Sequence, residues 1–370
     1  MLPIVFSFAV AFLASMWLVR SSHLHARFSA DSDMGGVQKF HVQPVPRVGG
    51  IAIAIALVAC WGVLWFRGKA EHPYFLQMLA VALPAFASGL FEDISKRGGV
   101  LIRMASIVLS AALAWCFLGV RVLRMDVPFI DPVLAIPACS FIITVVALAG
   151  VTNALNFIDG YNGLSAAVAA IMLAGIGYVA FILSDHLVWA MAVAGIGACL
   201  GFLFWNWPRG LIFLGDGGAY LLGFWIGALV VLLVARNPQV SPWFAFLLVS
   251  YPVVETVFTM MRRVSRQSNP GLPDAAHLHQ LVYKRLMRWT VGSPDPRHKV
   301  FRNSMTSPYL WLLSSLGVIP AVLLWNNTWA LQCSALLFVF AYLWLYRCII
   351  RFRAPRWLVV RSRTSRKRHR

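Results

Sequence analysis

The sequence LSAAVAAIMLAGIGYVAFILSDHLVWAMAVAGIGACLGFLFW, residues 164–205, holds two apolar stretches separated only by residues 185–186. Each stretch has about 20 residues, which as a helix is long enough to cross the hydrocarbon core of a bilayer. Asp185 is the single charged residue in the segment, and it falls in the short connection. The pattern therefore predicts an antiparallel pair of membrane-spanning helices.

The whole chain repeats this pattern. Of its 370 residues, 60% are hydrophobic and only 12% are charged, whereas a soluble chain is about 25% charged. This composition excludes a soluble enzyme, a disordered chain and a disulfide-stapled secreted domain. We predict an all-α, polytopic integral membrane protein of about eleven transmembrane helices, formed by residues 2–19, 48–66, 75–91, 100–120, 133–152, 164–184, 187–205, 218–235, 241–260, 308–325 and 329–350.

The positive charges indicate how these helices are oriented. With the N-terminus outside and the C-terminus inside (N-out/C-in), 27 of the 32 Lys and Arg residues fall on the cytoplasmic side, where membrane proteins concentrate them. The formal net charge of +19 then indicates topology and contact with anionic membrane lipids. Nucleic acid is not expected as a partner.

The unusual polar residues gather on this same predicted cytoplasmic face. They lie in five connecting segments, 20–47, 92–103, 153–163, 206–217 and 261–307. Polar caps without a shared role would be scattered over both faces. Their convergence predicts one polar site, composed of Lys39, His41, Arg47, Glu92, Asp93, Lys96, Arg97, Asn153, Asn156, Asp159, Asn162, Asp216, His277 and His279.

The residue types in these segments suit phosphate chemistry. The run NALNFIDGYNGL, residues 153–164, fits a polar turn, but its amides and carboxylate also supply oxygens for a hard divalent cation. Asp216, among three glycines at a predicted helix start, is either a helix N-cap or a metal carboxylate beside backbone that approaches phosphate. Glu92 and Asp93 end a predicted helix, where a carboxylate opposes the helix dipole, so this position indicates another role. Together these groups favour metal-assisted phosphoryl transfer, and the absence of a Walker A run argues against a P-loop enzyme.

Five motifs occur in order along the chain, namely PVPRVGGIAI (44–53), GLFEDISKR (89–97), NALNFIDGYNGLSAA (153–167), FLGDGGAYLLGF (213–224) and AHLHQ (276–280). They resemble those of the polyprenyl-phosphate N-acetylhexosamine-1-phosphate transferases, a superfamily in glycosyltransferase family 4 that includes phospho-N-acetylmuramoyl-pentapeptide transferase. The resemblance implies that undecaprenyl phosphate attacks the β-phosphate of a UDP-amino sugar and releases UMP, with Mg²⁺ or Mn²⁺ as cofactor. It also implies a bacterial inner (cytoplasmic) membrane enzyme whose active site faces the cytoplasm, and it leaves a homodimer open.

The resemblance implies roles for individual residues. Asp216 and Asn156 match metal-binding positions, while Glu92, Asp93 and Asp159 match catalytic positions. The implied architecture is a single transmembrane catalytic domain over 1–350, with the five segments above as active-site loops, followed by a basic cytoplasmic tail over 351–370. The expected substrate-binding residues are Lys39, Arg47, Arg103, Asn153, Asn162, His277 and His279.

Three positions depart from the family pattern. Glu92 stands where the family has Asp, Asn162 stands where many members have Asp, and Gln280 replaces a histidine of the muramoyl-pentapeptide branch. These departures favour the branch that initiates O-antigen or exopolysaccharide synthesis, with UDP-GlcNAc or a 6-deoxy-HexNAc relative as the donor. Two alternatives stay open at the level of sequence: a membrane transporter or channel for a polyanion, and a catalytically inactive scaffold.

Overall fold

A computed structural model describes residues 2–24, 30–31, 45–96, 99–265, 277–287 and 296–351. This part of the chain is a helical bundle with one short antiparallel pairing, in which β1 (Ala30–Asp31) meets β2 (Val45–Pro46). Ten of the described helices are long and apolar enough to cross a membrane, and a bent pair of helices raises the number to eleven. The all-α, polytopic prediction is confirmed, whereas the N-out/C-in orientation stays a prediction.

The helices follow one another with short connections for most of the chain. Their bounds are α1 Leu2–Arg20, α2 Gly49–Phe66, α3 His72–Ser95, α4 Val100–Leu118, α5 Asp131–Leu134, α6 Pro137–Phe157, α7 Leu164–Ile182, α8 His186–Asn206, α9 Gly215–Arg236, α10 Pro242–Leu248, α11 Ser250–Ser265, α12 Leu278–Leu281, a π-helical segment Val282–Met287, α13 Pro296–Leu323 and α14 Thr328–Ile350.

Helix α9 forms the centre of the bundle. Along its 18-residue apolar stretch, 89% of the residues are buried. The helix packs against α2, α3 and α6. Because α2 and α9 begin where α3 and α6 end, the motif-bearing termini of these four helices meet at one end of the bundle. The fold thereby brings four of the five sequence motifs together.

Small residues set the packing of α1 against α8. A Cβ atom at Gly197 would collide with the Ser7 hydroxyl, and one at Gly201 would collide with the Phe8 carbonyl. Without a strong hydrophobic force between helices in lipid, this Gly-x-x-x-Gly spacing promotes association by allowing close backbone approach.

The ninth predicted span is not a continuous helix. Residues 241–260 form α10 and most of α11, which meet at an angle of 71°. Ser241 begins the first piece, where its hydroxyl accepts the Trp243 N–H at 3.3 Å. The tenth span also differs from its prediction, because α13 already begins at Pro296 and continues through Pro308.

Candidate active site

The segments before α2 and α9 are paired through their backbones. The N–H of Phe213 donates to the Pro46 carbonyl at 2.8 Å, and the N–H groups of Gly49 and Gly50 donate to the Phe213 and Leu214 carbonyls at 2.9 Å. These bonds join two motifs that lie far apart in the sequence. They place Arg47 beside the first turn of α9.

Glycines permit the close crossing of α2, α3 and α9. A Cβ at Gly50 would lie 2.5 Å from Gly218 Cα, and one at Gly89 would lie 2.5 Å from the Gly217 nitrogen. Gly215 has φ +77°, a conformation that favours glycine. No larger residue fits at these contacts without moving the helices apart.

Asp93 anchors the start of α9 from the neighbouring helix. Its side chain is 1% exposed, and its two oxygens accept the N–H groups of Asp216 and Gly217, each at 2.9 Å. A carboxylate in this position satisfies otherwise unpaired N–H groups and interacts favourably with the helix dipole. The structure therefore shows Asp93 positioning the start of α9, and its catalytic role stays a prediction.

Asp216 lies at the centre of the polar cluster. Its Oδ1 accepts the Asn156 side-chain N–H at 2.8 Å, and Arg47 Nη2 lies 3.7 Å from the same oxygen. Arg103 Nη1 lies 3.8 Å from Oδ2 and pairs with Glu92 at 2.8 Å. The side chains of Asp216, Glu92 and Arg103 are 18–22% exposed and that of Arg47 is 37% exposed. The cluster is therefore accessible to a ligand and combines acidic, amide and guanidinium groups.

The donor set at Asp216 fits a hard divalent cation. The carboxylate of Asp216 and the amide oxygen of Asn156 are the kinds of ligand that Mg²⁺ accepts together with substrate phosphates. Within the described ranges, no group of three or more His, Cys, Asp or Glu side chains is arranged to hold a metal. Asp216 and Asn156 are the described residues that would hold such a cation here.

The turn after α6 carries the second part of the predicted site. The Asp159 N–H donates to the Asn156 carbonyl at 3.0 Å. Burial raises the pKa of the half-buried Asp159 side chain from 3.8 to about 7, and the nearby Asp216 carboxylate also raises it. Its protonation state therefore changes near neutral pH.

The histidine motif packs on this turn. The ring of His277 meets Phe157 edge-on with centroids 4.6 Å apart, and the ring of His279 meets Tyr161 at 5.5 Å. Both histidines are buried, at 4% and 3% exposure. Burial also lowers the pKa of His279 well below its ordinary value. A substrate contact of His279, as predicted from the sequence, would therefore come from a neutral ring.

The described contacts of Asn162 are with other parts of the protein, and its substrate-binding role stays a prediction. Its N–H donates to Asn303 Oδ1 at 2.8 Å, its carbonyl accepts from Ser307 at 2.6 Å, and its side chain is directed at the Pro208 carbonyl. At 6% exposure, Asn162 joins the turn to α13. The predicted Lys39 lies outside the described residues, as do His41, Arg97 and positions 352–370 of the basic tail.

An apolar groove begins one helical turn from the cluster. Asn153, three residues before Asn156, contributes to a cavity of about 760 Å³ between α6, α9 and the bent pair α10–α11. Its walls include Val230, Phe246 and Met260. The sequence carries no signal for these residues, because their apolar side chains cannot be distinguished from lipid-facing ones until the bend between α10 and α11 is known.

The fold and the site define a polytopic membrane enzyme that joins a phosphate-compatible polar cluster to an apolar groove. The profile of glycosyl transferase family 4 matches residues 75–234, and over these residues the chain is similar to that family. Its predicted resemblance is thus confirmed, and it is an enzyme of the transferase kind.

Three relatives illustrate the similarity. The chain is 28% identical over 286 residues to a probable undecaprenyl-phosphate N-acetylglucosaminyl 1-phosphate transferase of Bacillus subtilis, covering 75% of this chain and 77% of the relative. It is 31% identical over 273 residues to a decaprenyl-phosphate N-acetylglucosaminephosphotransferase of Mycolicibacterium smegmatis, covering 65% of each. It is 26% identical over 278 residues to an undecaprenyl-phosphate alpha-N-acetylglucosaminyl 1-phosphate transferase of Thermotoga maritima, covering 75% and 81%.

Proposed function

We propose that this protein transfers an N-acetylhexosamine 1-phosphate from a UDP-sugar to undecaprenyl phosphate and releases UMP. The observation that carries the proposal is the cluster of Asp216, Asn156, Arg47 and Arg103 beside an apolar groove. The names of the three relatives support N-acetylglucosamine as the sugar and a polyprenyl phosphate as the acceptor.

The acceptor has an apolar tail and an anionic head, and the site has matching parts. The groove of about 760 Å³ is lined mostly by aliphatic and aromatic side chains, which suits an isoprenoid chain because burying apolar surface is favourable. Asn153 lies at the groove, and Asn156 one turn further along α6 bonds to Asp216. A chain seated in the groove would therefore place its phosphate close to the polar cluster.

The donor supplies a diphosphate, which the guanidinium groups suit. Arg47 and Arg103 lie on two sides of Asp216, and guanidinium groups bind phosphate with directed hydrogen bonds. In the transfer, an oxygen of the acceptor phosphate bonds to the β-phosphorus while the bond from that phosphorus to the bridging oxygen breaks. The bridging oxygen leaves with UMP.

This chemistry requires positioning more than proton transfer. A phosphate monoester has a second pKa of about 6, so the acceptor is already ionised near neutral pH and needs no strong base. Orientation of the two phosphates and neutralisation of their charge then dominate the rate acceleration. Asp93 contributes indirectly because it fixes the backbone of Asp216.

A divalent cation, Mg²⁺ or Mn²⁺, is part of the proposal. Asp216 and Asn156 would hold it, and when bound it would neutralise charge on the diphosphate. We further propose that the membrane is a bacterial inner membrane, that the site faces the cytoplasm, and that the product initiates O-antigen or another cell-surface polysaccharide. The distribution of Lys and Arg supports this orientation.

Assays on the purified protein test the proposal. The protein is incubated with undecaprenyl phosphate, Mg²⁺ and a panel of UDP-N-acetyl sugars that includes UDP-GlcNAc and a 6-deoxy relative. We expect UMP release that requires undecaprenyl phosphate, together with a lipid-linked sugar diphosphate. If no donor in the panel yields UMP, the proposal is contradicted.

A further inference from the structure

Glu255 is a fully buried carboxylate that lies outside the cluster around Asp216. It is in α11, with 0% exposure. Its Oε1 accepts the N–H of Leu278 at 2.9 Å, and its Oε2 accepts the hydroxyl of Tyr342 at 2.8 Å. The carboxylate therefore joins α11 to the histidine motif and to α14.

The environment of Glu255 indicates a specific role. A buried carboxylate is costly unless hydrogen bonds compensate for its lost hydration, and an apolar side chain would fill the same volume without that cost. Both of the bonds given above reach segments distant in sequence, one of them in the histidine motif. The carboxylate thus fixes the start of the segment that carries His277 and His279.

The contacts continue from Glu255 through the histidine rings. His277 Nδ1 lies 3.8 Å from Glu255 Oε1 and 3.3 Å from the Thr259 hydroxyl. The rings of His277 and His279 are nearly parallel, with centroids 5.2 Å apart, and His277 also packs against Phe157. At 3.8 Å the carboxylate acts on this ring through its charge, whereas the Thr259 hydroxyl is within hydrogen-bonding distance of the same nitrogen.

We propose that Glu255 is a positioning residue for the transfer reaction. Together with Tyr342 it holds His277 and His279 against the turn that follows α6, and so completes the surface that receives the donor sugar nucleotide. This inference rests on the proposed function for the identity of the donor. The contacts that position the histidines are observed independently of it.

Steady-state kinetics of three variants test the inference. Glu255→Gln removes the charge at nearly constant size, and Tyr342→Phe removes one hydrogen bond to the carboxylate. Tyr251→Phe is the matched control, because the buried Tyr251 hydroxyl, on the same helix, has no hydrogen-bond partner among the described residues. We expect Glu255→Gln to raise the KM for UDP-GlcNAc about 10- to 100-fold, by analogy with the loss of groups that orient metal-binding histidines.

The expected changes separate positioning from general destabilisation. The KM for undecaprenyl phosphate should stay within about twofold of the wild-type value, Tyr342→Phe should show a smaller rise in donor KM, and Tyr251→Phe should show none. In a His277→Ala background, Glu255→Gln should raise the donor KM little further, because both residues affect the same contacts. The inference would be overturned if Glu255→Gln and Tyr342→Phe both kept the wild-type KM for the donor. It would also be overturned if the effects of Glu255→Gln and His277→Ala on this KM were fully additive.

Hydrogen exchange distinguishes this inference from the proposed function. Exchange at residues 277–283 is measured by mass spectrometry in the wild type, Glu255→Gln and Tyr342→Phe. We expect faster exchange of this segment in the variants, because the bond accepted from Leu278 is weakened. If the wild type transfers none of the sugars, the proposed function fails, and unchanged exchange in both variants would separately overturn the positioning role. If Glu255→Gln does not fold, the inference is tested by the donor KM and the hydrogen exchange of Tyr342→Phe.

Discussion

Gly89→Ala should inactivate the enzyme by separating α3 from α9. A Cβ at this position would lie 2.5 Å from the Gly217 nitrogen and 2.6 Å from the Asp216 carbonyl carbon, whereas ordinary contact begins at 3.4 Å. The helices must therefore part by 3.4 minus 2.5, or about 0.9 Å. Along the two bonds accepted by Asp93, that shift stretches 2.9 Å to about 3.8 Å, beyond hydrogen-bonding distance.

The displaced residue is Asp216 itself, so the effect should appear in turnover. A misplacement of about 1 Å costs about 100-fold in rate, and we expect a loss of that order in UMP release at saturating substrates. Gly62→Ala is the control, because no atom lies within 4 Å of its added Cβ and alanine favours a helix by about 1 kcal/mol over glycine. Wild-type turnover in Gly89→Ala, or an equal loss in Gly62→Ala, would refute the reasoning.

Three further predictions concern charge, pH and packing. Glu92→Gln should lower turnover about tenfold, because Arg103 loses a charged partner at 2.8 Å, whereas Glu92→Asp should lower it less; equal activity of both variants would contradict this. Burial raises the pKa of Asp159 to about 7, so ionising this side chain should make the folded protein less stable as pH rises from about 4 to 7. Asp159→Asn cannot ionise, so in EDTA its apparent Tm relative to that of the wild type should increase from pH 5 to pH 8. A constant difference in Tm would contradict this prediction. Gly201→Ile should lower the apparent Tm by an amount equivalent to about 1–3 kcal/mol, because its side chain collides with the Phe8 carbonyl; an unchanged Tm would exclude this packing.

The membrane class and the convergence of several motifs could be predicted because they depend on local sequence. An apolar stretch of about 20 residues indicates a membrane-spanning helix without reference to the rest of the chain. The distribution of Lys and Arg between the two sides of the membrane is likewise read without knowing how the helices pack. The prediction that the motifs converge was therefore possible without knowing any contact. The structure brings Glu92, Asn156 and Asp216 together at one end of the bundle.

Roles that depend on distant contacts could not be read from the sequence. Asp93 was grouped with Glu92 by adjacency, yet successive residues on a helix point in different directions, and the structure turns Asp93 to the backbone of α9. Asn162 lies in the same run as Asn156, but its partners come from α13. The carboxylate of Glu255 gave no motif signal, because its partners Leu278 and Tyr342 are 23 and 87 residues away.

The bend between α10 and α11 was missed for a related reason. Residues 241–260 are mostly apolar, with Glu255 as their one charged residue, and hydropathy predicts a span without indicating whether it is straight. The break after Leu248 creates one wall of the groove. The candidate acceptor groove therefore became visible only with the coordinates.

The charge of Asp216 is the central claim of this account, and Asp216→Asn tests it most directly. UMP release from UDP-GlcNAc with undecaprenyl phosphate is measured across a range of Mg²⁺ concentrations for the wild type, Asp216→Asn and the control Asp126→Asn. Asp126 is a carboxylate paired with Arg124 at the other end of the bundle. We predict a loss of at least 100- to 1,000-fold for Asp216→Asn, unchanged abundance, and near wild-type turnover for the control. Near-normal turnover of Asp216→Asn at low Mg²⁺ would contradict the account.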